Sequence, residues 1–208
     1  MRKKRINGFS SIERELFDNG CIHIAGVDEV GRGSIAGPVV ASIVILDENC
    51  KLDGIADSKL LTLNERLKAY KIIMESSIAV AVSSVNSDVI DKINIRNATL
   101  LAMKKAIGKL SIEPDFIVFD GRDTVNLSKN EKAVIKGDRI CLTVAAASIV
   151  AKVIRDNILI SYEKRYPGYG FAKHKGYGTL QHKKAISENG LCPIHRISFC
   201  SFIQPELC

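Results

Sequence analysis

The sequence predicts an α/β domain built on a mixed sheet. Three observations point there: short apolar runs rich in Val and Ile, strand–helix alternation after the first two of them, and a composition of 46% hydrophobic and 25% charged residues, ordinary for a globular fold. At 208 residues the chain suits one domain, 1–208, with a sizeable core. Disordered, collagen-like and disulfide-stapled classes do not fit this composition. No run approaches the roughly 20 apolar residues of a membrane span. The basic start Met1-Arg2-Lys3-Lys4-Arg5 leads into polar residues rather than an apolar leader core. A cytoplasmic protein without membrane attachment is expected.

The elements follow in order. Residues 10–19 (SSIERELFDN) read as a short helix closed by Gly20, within an N-terminal extension of residues 1–20. Ile22 to Val27 and Val39 to Leu46 are strand-like. Thr62-Leu63-Asn64-Glu65 is a capping-box pattern that starts a helix reaching about Met74. Ile78 to Val85 is a third strand. Leu100, Leu101, Met103, Ala106 and Ile107 form a helical stripe over Asn97–Leu110. Pro114 precedes a buried strand, Phe116-Ile117-Val118-Phe119, that ends at Asp120-Gly121. Val144 to Tyr166 holds no Gly or Pro and reads as one long helix stopped by Pro167. Thr179 to Glu188 is a last helix, closed near Gly190, in a basic C-terminal segment of about residues 167–208. The order of strands in the sheet is not readable from these patterns.

Thirty Lys and Arg against 23 Asp and Glu give a net charge of +7, which favours a polyanionic partner. The excess is concentrated between Lys164 and Arg196, where Glu188 is the only acid. A solvated helix and loop would read the same way. The six cysteines form no CxxC pair, so free thiols are expected rather than disulfides. Cys192, His195, Cys200 and Cys208 lack the paired spacing of a structural zinc site. His23, His174, His182 and His195 show no metal spacing either, and His195 with Arg196 is read as fixing the C-terminal segment.

The acids carry the chemistry. Asp28 and Glu29 end the first strand and lead into Val30-Gly31-Arg32-Gly33. Asp120 ends another strand, and Asp138 follows Gly137 just before the long helix. Strand ends and the loops beyond them are where α/β domains build sites. Taken singly, Asp120-Gly121 reads equally as a plain turn and Asp138 as a loop residue. Taken together, four converging carboxylates repel one another and must protonate or hold cations. An all-oxygen set favours Mg²⁺ or Mn²⁺ over zinc. Neighbouring side chains of a regular strand face opposite ways, so Asp28 and Glu29 share a site only where the strand bends or ends. Gly31 and Gly33, free to take positive φ, would permit that break. No P-loop or Gly-x-Gly-x-x-Gly pattern is present.

Gly26-Val27-Asp28-Glu29-Val30-Gly31-Arg32-Gly33 with Ala36-Gly37-Pro38-Val39 resembles the opening signature of ribonuclease HII, the bacterial type 2 ribonuclease H. The likeness runs through nearly the whole chain. Glu13-Arg14-Glu15-Leu16, Asp57-Ser58-Lys59, Ala98-Thr99-Leu100-Leu101-Ala102-Met103, Asp120-Gly121 and Lys136-Gly137-Asp138 stand in the family's order. So do Ala145–Val153 with Arg155-Asp156, His174-Lys175-Gly176-Tyr177-Gly178-Thr179, and Pro193-Ile194-His195-Arg196. The resemblance implies a ribonuclease H-like fold: a central mixed five-stranded sheet flanked by helices, with a helical C-terminal part.

It also implies a metal-dependent endonuclease acting on RNA–DNA hybrids and 5′ of ribonucleotides embedded in duplex DNA, leaving 3′-OH and 5′-phosphate ends. By motif position the catalytic, metal-binding carboxylates are Asp28, Glu29, Asp120 and Asp138. Gly31, Arg32 and Gly33 fall on the segment that reads the ribonucleotide, and Tyr177 on the aromatic that packs against the next sugar. Lys59, Lys175 and Arg32 are candidate phosphate contacts, each also readable as a solvent-exposed cation. The cofactors expected are two divalent cations, Mn²⁺ or Mg²⁺, about 3.5–4 Å apart, with Asp28 bridging. A monomer is expected. Lys152 and Asp156, four apart, are read as an ion pair, and Ser148 as a packing residue rather than a nucleophile.

Two positions depart from the family pattern. Ser34 stands where the family usually has Pro, and Leu60 where a second Lys often follows Lys59. Three rival readings remain. Ribonuclease HIII normally carries a sizeable extra N-terminal domain, for which about 20 residues before the first strand leave no room. A silent hybrid-binding module would lack one of the four acids. A nucleotide phosphoryl-transfer enzyme would need a phosphate-binding loop.

Overall fold

A computed structural model describes residues 5–50, 52–56, 58, 60–127 and 130–202. Its centre is a five-stranded mixed sheet of β2 (Ile24–Val30), β3 (Val39–Leu46), β5 (Ser77–Val85), β6 (Phe116–Asp120) and β7 (Glu131–Val134), in the order β5-β3-β2-β6-β7. β2 pairs antiparallel with β3 and parallel with β6; β3 pairs antiparallel with β5, and β6 parallel with β7. A separate two-stranded ladder joins β1 (Arg5–Asn7) to β4 (Asp53–Ala56). The mixed five-stranded sheet agrees with the expectation; β1, β4 and β7 are additional strands too short to show an alternating pattern.

Helices α1 (Ser11–Asp18), α2 (Leu63–Ser76), α3 (Ser87–Ile107), α4 (Leu142–Arg165), α5 (Phe171–His174) and α6 (Leu180–Asn189) complete the fold. Two helix starts are capping boxes: Thr62 with Glu65, as the sequence predicts, and Ser10 with Glu13. α3 begins ten residues earlier than the stripe at Asn97 suggests. The reason is Asn94, whose φ of 64° and ψ of 164° interrupt the helix and put the two halves out of phase. The side-chain amide oxygen of Asn94 restarts the second half by accepting from the Asn97 N–H at 3.1 Å.

Strand alternation decides which layer each residue meets. Ala25 and Val27 of β2 and Ile117 and Phe119 of β6 pack with Ile90, Ala98 and Ala102 of α3. Gly26 and Asp28, one step out of phase, face α4. A Cβ on Gly26 would lie 2.1 Å from the Thr143 carbonyl carbon, so only glycine lets α4 rest directly on the sheet. Ser42 of β3 fixes the same contact by donating to the Ala147 carbonyl at 2.6 Å.

The start of α4 is held by Glu13, which is fully buried. Its Oε2 accepts from the Leu142 N–H at 3.0 Å and its Oε1 from the Thr143 N–H and hydroxyl at 2.9 and 2.8 Å. The same carboxylate closes the capping box of α1 through the Ser10 N–H and hydroxyl. One side chain thus satisfies orphan donors at two helix N-termini. Glu13→Ala should cost about 3 kcal/mol or more and lower the melting temperature by several degrees; an unchanged thermal melt would contradict this role.

The five described cysteines, Cys21, Cys50, Cys141, Cys192 and Cys200, are free, as expected. Lys59, Asp57 and Cys208 lie outside the described residues. Among the described residues no helix is long and apolar enough to cross a membrane.

Candidate active site

The parallel pairing of β2 with β6 brings two of the acids together. The last registered pair is Val27 with Phe119, and Asp28 and Asp120 each come next in their strands. Asp28 is 5% exposed. Burial pushes its carboxyl well above the usual aspartate range, and the charges of Glu29 and Asp120 push it further. Two hydrogen bonds act the other way: the Glu29 N–H donates to Asp28 Oδ1 at 2.7 Å, and the Ser148 hydroxyl donates to the carboxylate. Ser148 in turn lies 2.9 Å from the Ser58 hydroxyl. With Asp28 ionised its carboxylate only accepts, and the polarity then runs Ser58 to Ser148 to Asp28. Ser148 is therefore a support for Asp28.

Asp138 sits in a 3₁₀ turn, Gly137–Arg139, that leads into α4. Its N–H lies 3.5 Å from Asp120 Oδ1, and Asp138 is 5% exposed. Glu29 is placed differently from the sequence expectation. β2 does not end at Asp28-Glu29 but runs to Val30, still paired with Val40 of β3. The two acids therefore alternate across the sheet, and the break comes afterwards, at Gly31, with φ of 96°. Glu29 borders two cavities at the sheet end. One, of about 370 Å³, is also lined by Asp28, Ser58, Arg66, Ser148, Lys152 and Tyr177. The other, of about 80 Å³, is lined by Asp120, Arg32, Arg96 and Asp123 among others.

As the side chains stand, among the described residues no three His, Cys, Asp or Glu are gathered tightly enough to hold an ion. The donor chemistry nevertheless fits hard cations. Three acids in electrostatic contact, one of them with its carboxyl pushed above the usual aspartate range by burial first and by the other two charges second, are a site in which added positive charge relieves repulsion.

The segment from Gly31 to Pro38 forms one wall. Gly31 needs its glycine twice over: its φ is positive, and a Cβ would lie 2.1 Å from Arg155 Nε. Gly33 is exposed, its φ is not in the positive region, and a Cβ there meets nothing within 4 Å. The expectation that both glycines supply positive φ holds only for Gly31. Arg32 is half exposed and its guanidinium lies 3.3 Å from Glu29 Oε1. Two buried arginines carry this wall. Arg155 donates to the carbonyls of Pro38, Ala36 and Lys175. Arg196 donates to those of Gly37 and Arg32. The reading of Arg196 as a fixer of the C-terminal segment agrees with this.

Tyr177 stands at the rim, 37% exposed, with the Arg155 guanidinium carbon 5.7 Å from its ring centre. Lys175 is half-buried and its ammonium donates to the Ala172 carbonyl, so part of its donor capacity is already used; desolvation lowers its pKa. Lys152 does pair with Asp156, at 2.7 Å, and Arg66 joins them at 3.5 Å. Arg66 is a site-building residue that sequence reasoning missed, and Ser58 and Arg155, quoted there within matching motifs, were given no role. Arg66 and Arg155 sit on helices whose inward faces no pattern distinguishes as polar.

Ser34 Oγ is buried and has no hydrogen-bond partner among the described residues. Ser34→Ala should therefore raise stability by about 1 kcal/mol, seen as a melting temperature higher by a few degrees; a lower one would show that the hydroxyl is satisfied in solution.

The family model described as ribonuclease HII matches residues 25–202. This chain belongs to the ribonuclease HII family. Curated relatives include the ribonuclease HII of Caldicellulosiruptor bescii, 48% identical over 96% of this chain and 97% of the relative. That of Syntrophus aciditrophicus is 47% identical over 92% of this chain and 91% of its own. Among solved structures, the ribonuclease H2 from Pyrococcus horikoshii superposes with a TM-score of 0.74 at 27% identity, covering 85% of this chain and 93% of that one. A ribonuclease HIII structure from the Bst enzyme shares the fold at a TM-score of 0.63 and 21% identity, over 81% of this chain and 63% of that one. Ribonuclease HII proteins are metal-dependent nucleases, and this chain is a hydrolase of that kind.

Proposed function

We propose that this protein is an endoribonuclease that hydrolyses the RNA strand of RNA–DNA hybrids and incises 5′ of ribonucleotides embedded in duplex DNA, leaving 3′-OH and 5′-phosphate ends. The observation that carries the reading is the meeting of buried Asp28 with Glu29 and Asp120 at the end of paired β2 and β6, beside the exposed residues Arg32 and Gly33. Asp28, Glu29, Asp120 and Asp138 would hold two divalent cations, Mn²⁺ or Mg²⁺, which when bound would supply a water of lowered pKa and positive charge for the departing 3′ oxygen. Asp28, in electrostatic contact with two of the other acids, is the central donor. Ser58 and Ser148 hold its carboxylate in place.

Selection of RNA rests on the 2′-OH, which both donates and accepts. Backbone groups of Gly31, Arg32 and Gly33 are the readers. Arg155 and Arg196 clamp their loop from beneath, and the open space over Gly33 admits a sugar. Tyr177 packs against the neighbouring sugar, while Arg32, Lys59 and Lys175 contact phosphates. The net charge of +7 supports a nucleic-acid duplex as substrate.

A labelled DNA duplex carrying one ribonucleotide, an all-DNA control and a titration of Mg²⁺ and Mn²⁺ test this. Metal-dependent incision 5′ of the ribonucleotide is expected, with the control cut at least about 10⁴-fold more slowly, because a site built around a hydroxyl is left unpaired without it. Equal cutting of both duplexes would dispose of the 2′-OH reader.

A further inference from the structure

The turn that carries Tyr177 is fastened by an unusual set of groups. His174 ends α5, His182 lies in the first turn of α6, and His195 lies in the C-terminal segment beyond it. The rings of His174 and His182 stack with centres 4.2 Å apart, and His182 Nε2 lies 3.1 Å from His195 Nε2. For neutral rings, hydrogen-bond polarity gives each proton a place. The Tyr177 carbonyl, 2.9 Å from His182 Nδ1, can only accept, so Nδ1 carries the hydrogen. In a neutral ring, His182 Nε2 is then an acceptor, and His195 Nε2 must donate to it. That leaves His195 Nδ1 as an acceptor, which the Cys192 N–H satisfies at 2.9 Å. The Cys192 carbonyl lies 3.2 Å from the same nitrogen and would be its partner only in the other tautomer. In His174, Nε2 donates to the Tyr169 carbonyl at 2.8 Å and Nδ1 accepts from the Gly176 N–H at 3.2 Å.

With the three rings neutral, each uses one donor and one acceptor. A second proton on His182 would set donor against donor at His195. The groups facing the trio are Tyr169 and Phe171 ahead of and on α5, the ring of His174 itself, and Cys192 of the C-terminal segment. Among the described residues no carboxylate forms an ion pair with any of the three. Burial holds His182 down to about 4 and His195 below its ordinary value.

The backbone shows what the chain of rings holds. The Tyr177 N–H donates to the His174 carbonyl, and the Tyr177 carbonyl accepts from both the Thr179 N–H and His182. The Gly176 carbonyl accepts from the N–H groups of Ile35 and Ala36, and a Cβ on Gly176 would lie 2.4 Å from the Ala36 oxygen. The Tyr177 turn and the Gly31–Pro38 wall are one assembly, held together by buried Arg155 and by the imidazoles.

We propose that His182, supported by His174 and His195, is a positioning residue that holds Tyr177 at its place on the nucleic acid through a neutral, directional chain of imidazole hydrogen bonds. This rests on the reading of Tyr177 as a sugar contact. His182→Phe keeps the ring stack and removes both hydrogen bonds; His182→Asn restores a donor toward the Tyr177 carbonyl. KM and kcat are measured on the single-ribonucleotide duplex for these variants, for Tyr177→Ala and for the His182→Phe/Tyr177→Ala double variant. His182→Phe should raise KM about tenfold with kcat within about twofold, His182→Asn should recover most of that loss, and the double variant should be no worse than Tyr177→Ala alone. Additive effects in the cycle would overturn the positioning role and leave the Tyr177 reading intact. Unchanged KM in Tyr177→Ala would overturn that reading and this inference with it.

Two measurements on folded protein stand apart from activity. Amide hydrogen exchange at residues 176–179 should accelerate in His182→Phe, and no acceleration would count against the anchor. Imidazole nitrogen shifts in the unaltered protein should show hydrogen on Nδ1 of His182 and on Nε2 of His174 and His195. Any other assignment would overturn the chain even if His182→Phe does not fold.

Discussion

Asp28→Asn is expected to abolish cleavage, by about 10³-fold or more, while raising the melting temperature of the metal-free protein. Both halves follow from the same electrostatics. Asp28 is buried between Glu29 and Asp120, and its carboxyl titrates well above the ordinary range because of burial first and those two charges second. Such a carboxyl binds more protons folded than unfolded between its unfolded value of about 3.9 and its raised folded value. Metal-free stability therefore falls as pH rises through that window. Asparagine removes the charge, keeps an oxygen for the Glu29 N–H, and should melt higher at neutral pH than at acidic pH relative to the unaltered chain. Added Mg²⁺ or Mn²⁺ should raise the melting temperature of the unaltered protein, by mass action on the folded state, and do much less for Asp28→Asn. Asp120→Asn and Asp138→Asn should lose cleavage comparably with the fold retained. Thermal melts in chelator and in metal, beside cleavage rates, check this. A variant at Asp28 that keeps near-normal activity, or that melts lower at every pH, would end the assignment.

Gly31→Ala and Gly33→Ala should part company. At Gly31 an added methyl meets both a positive φ and Arg155 Nε at 2.1 Å. Arg155 has little room to give, because it is fully buried and spends its donors on the Pro38, Ala36 and Lys175 carbonyls. Displacing it strands a buried guanidinium, and a cost of about 3–5 kcal/mol is expected. At Gly33 the methyl meets nothing within 4 Å, and stability should change by no more than about 0.5 kcal/mol. If the sugar of the ribonucleotide approaches Gly33, that same methyl stands in its way, and kcat/KM should fall about 10²-fold, as for a misplacement of about 1 Å. Denaturant unfolding read beside cleavage separates the two effects. A Gly33→Ala enzyme that is stable and fully active would move the substrate away from this loop.

These contrasts bear on what could be read without coordinates. The helix starts at Ser10 and Thr62, the long α4 and the β3 run were legible because capping boxes and unbroken apolar stretches are local patterns. The first half of α3 was hidden, since Asn94 breaks the helix and shifts its apolar phase. The four acids were legible as a set only through their motifs and their positions at strand ends.

Composition and local pattern by themselves determined the α/β class, the basic character and the order of the acids, because each depends on neighbours within a few residues. Only the folded chain decided that Asp28 and Asp120 stand side by side, since that follows from the parallel register of β2 and β6, whose residues lie 92 positions apart. It alone decided that Gly31, and not Gly33, is braced by Arg155, and that His182, stacked on His174, bonds both the Tyr177 carbonyl and His195. Burial and register arise from the packing of whole layers, and a buried charge or imidazole acquires its chemistry from whatever that packing brings against it.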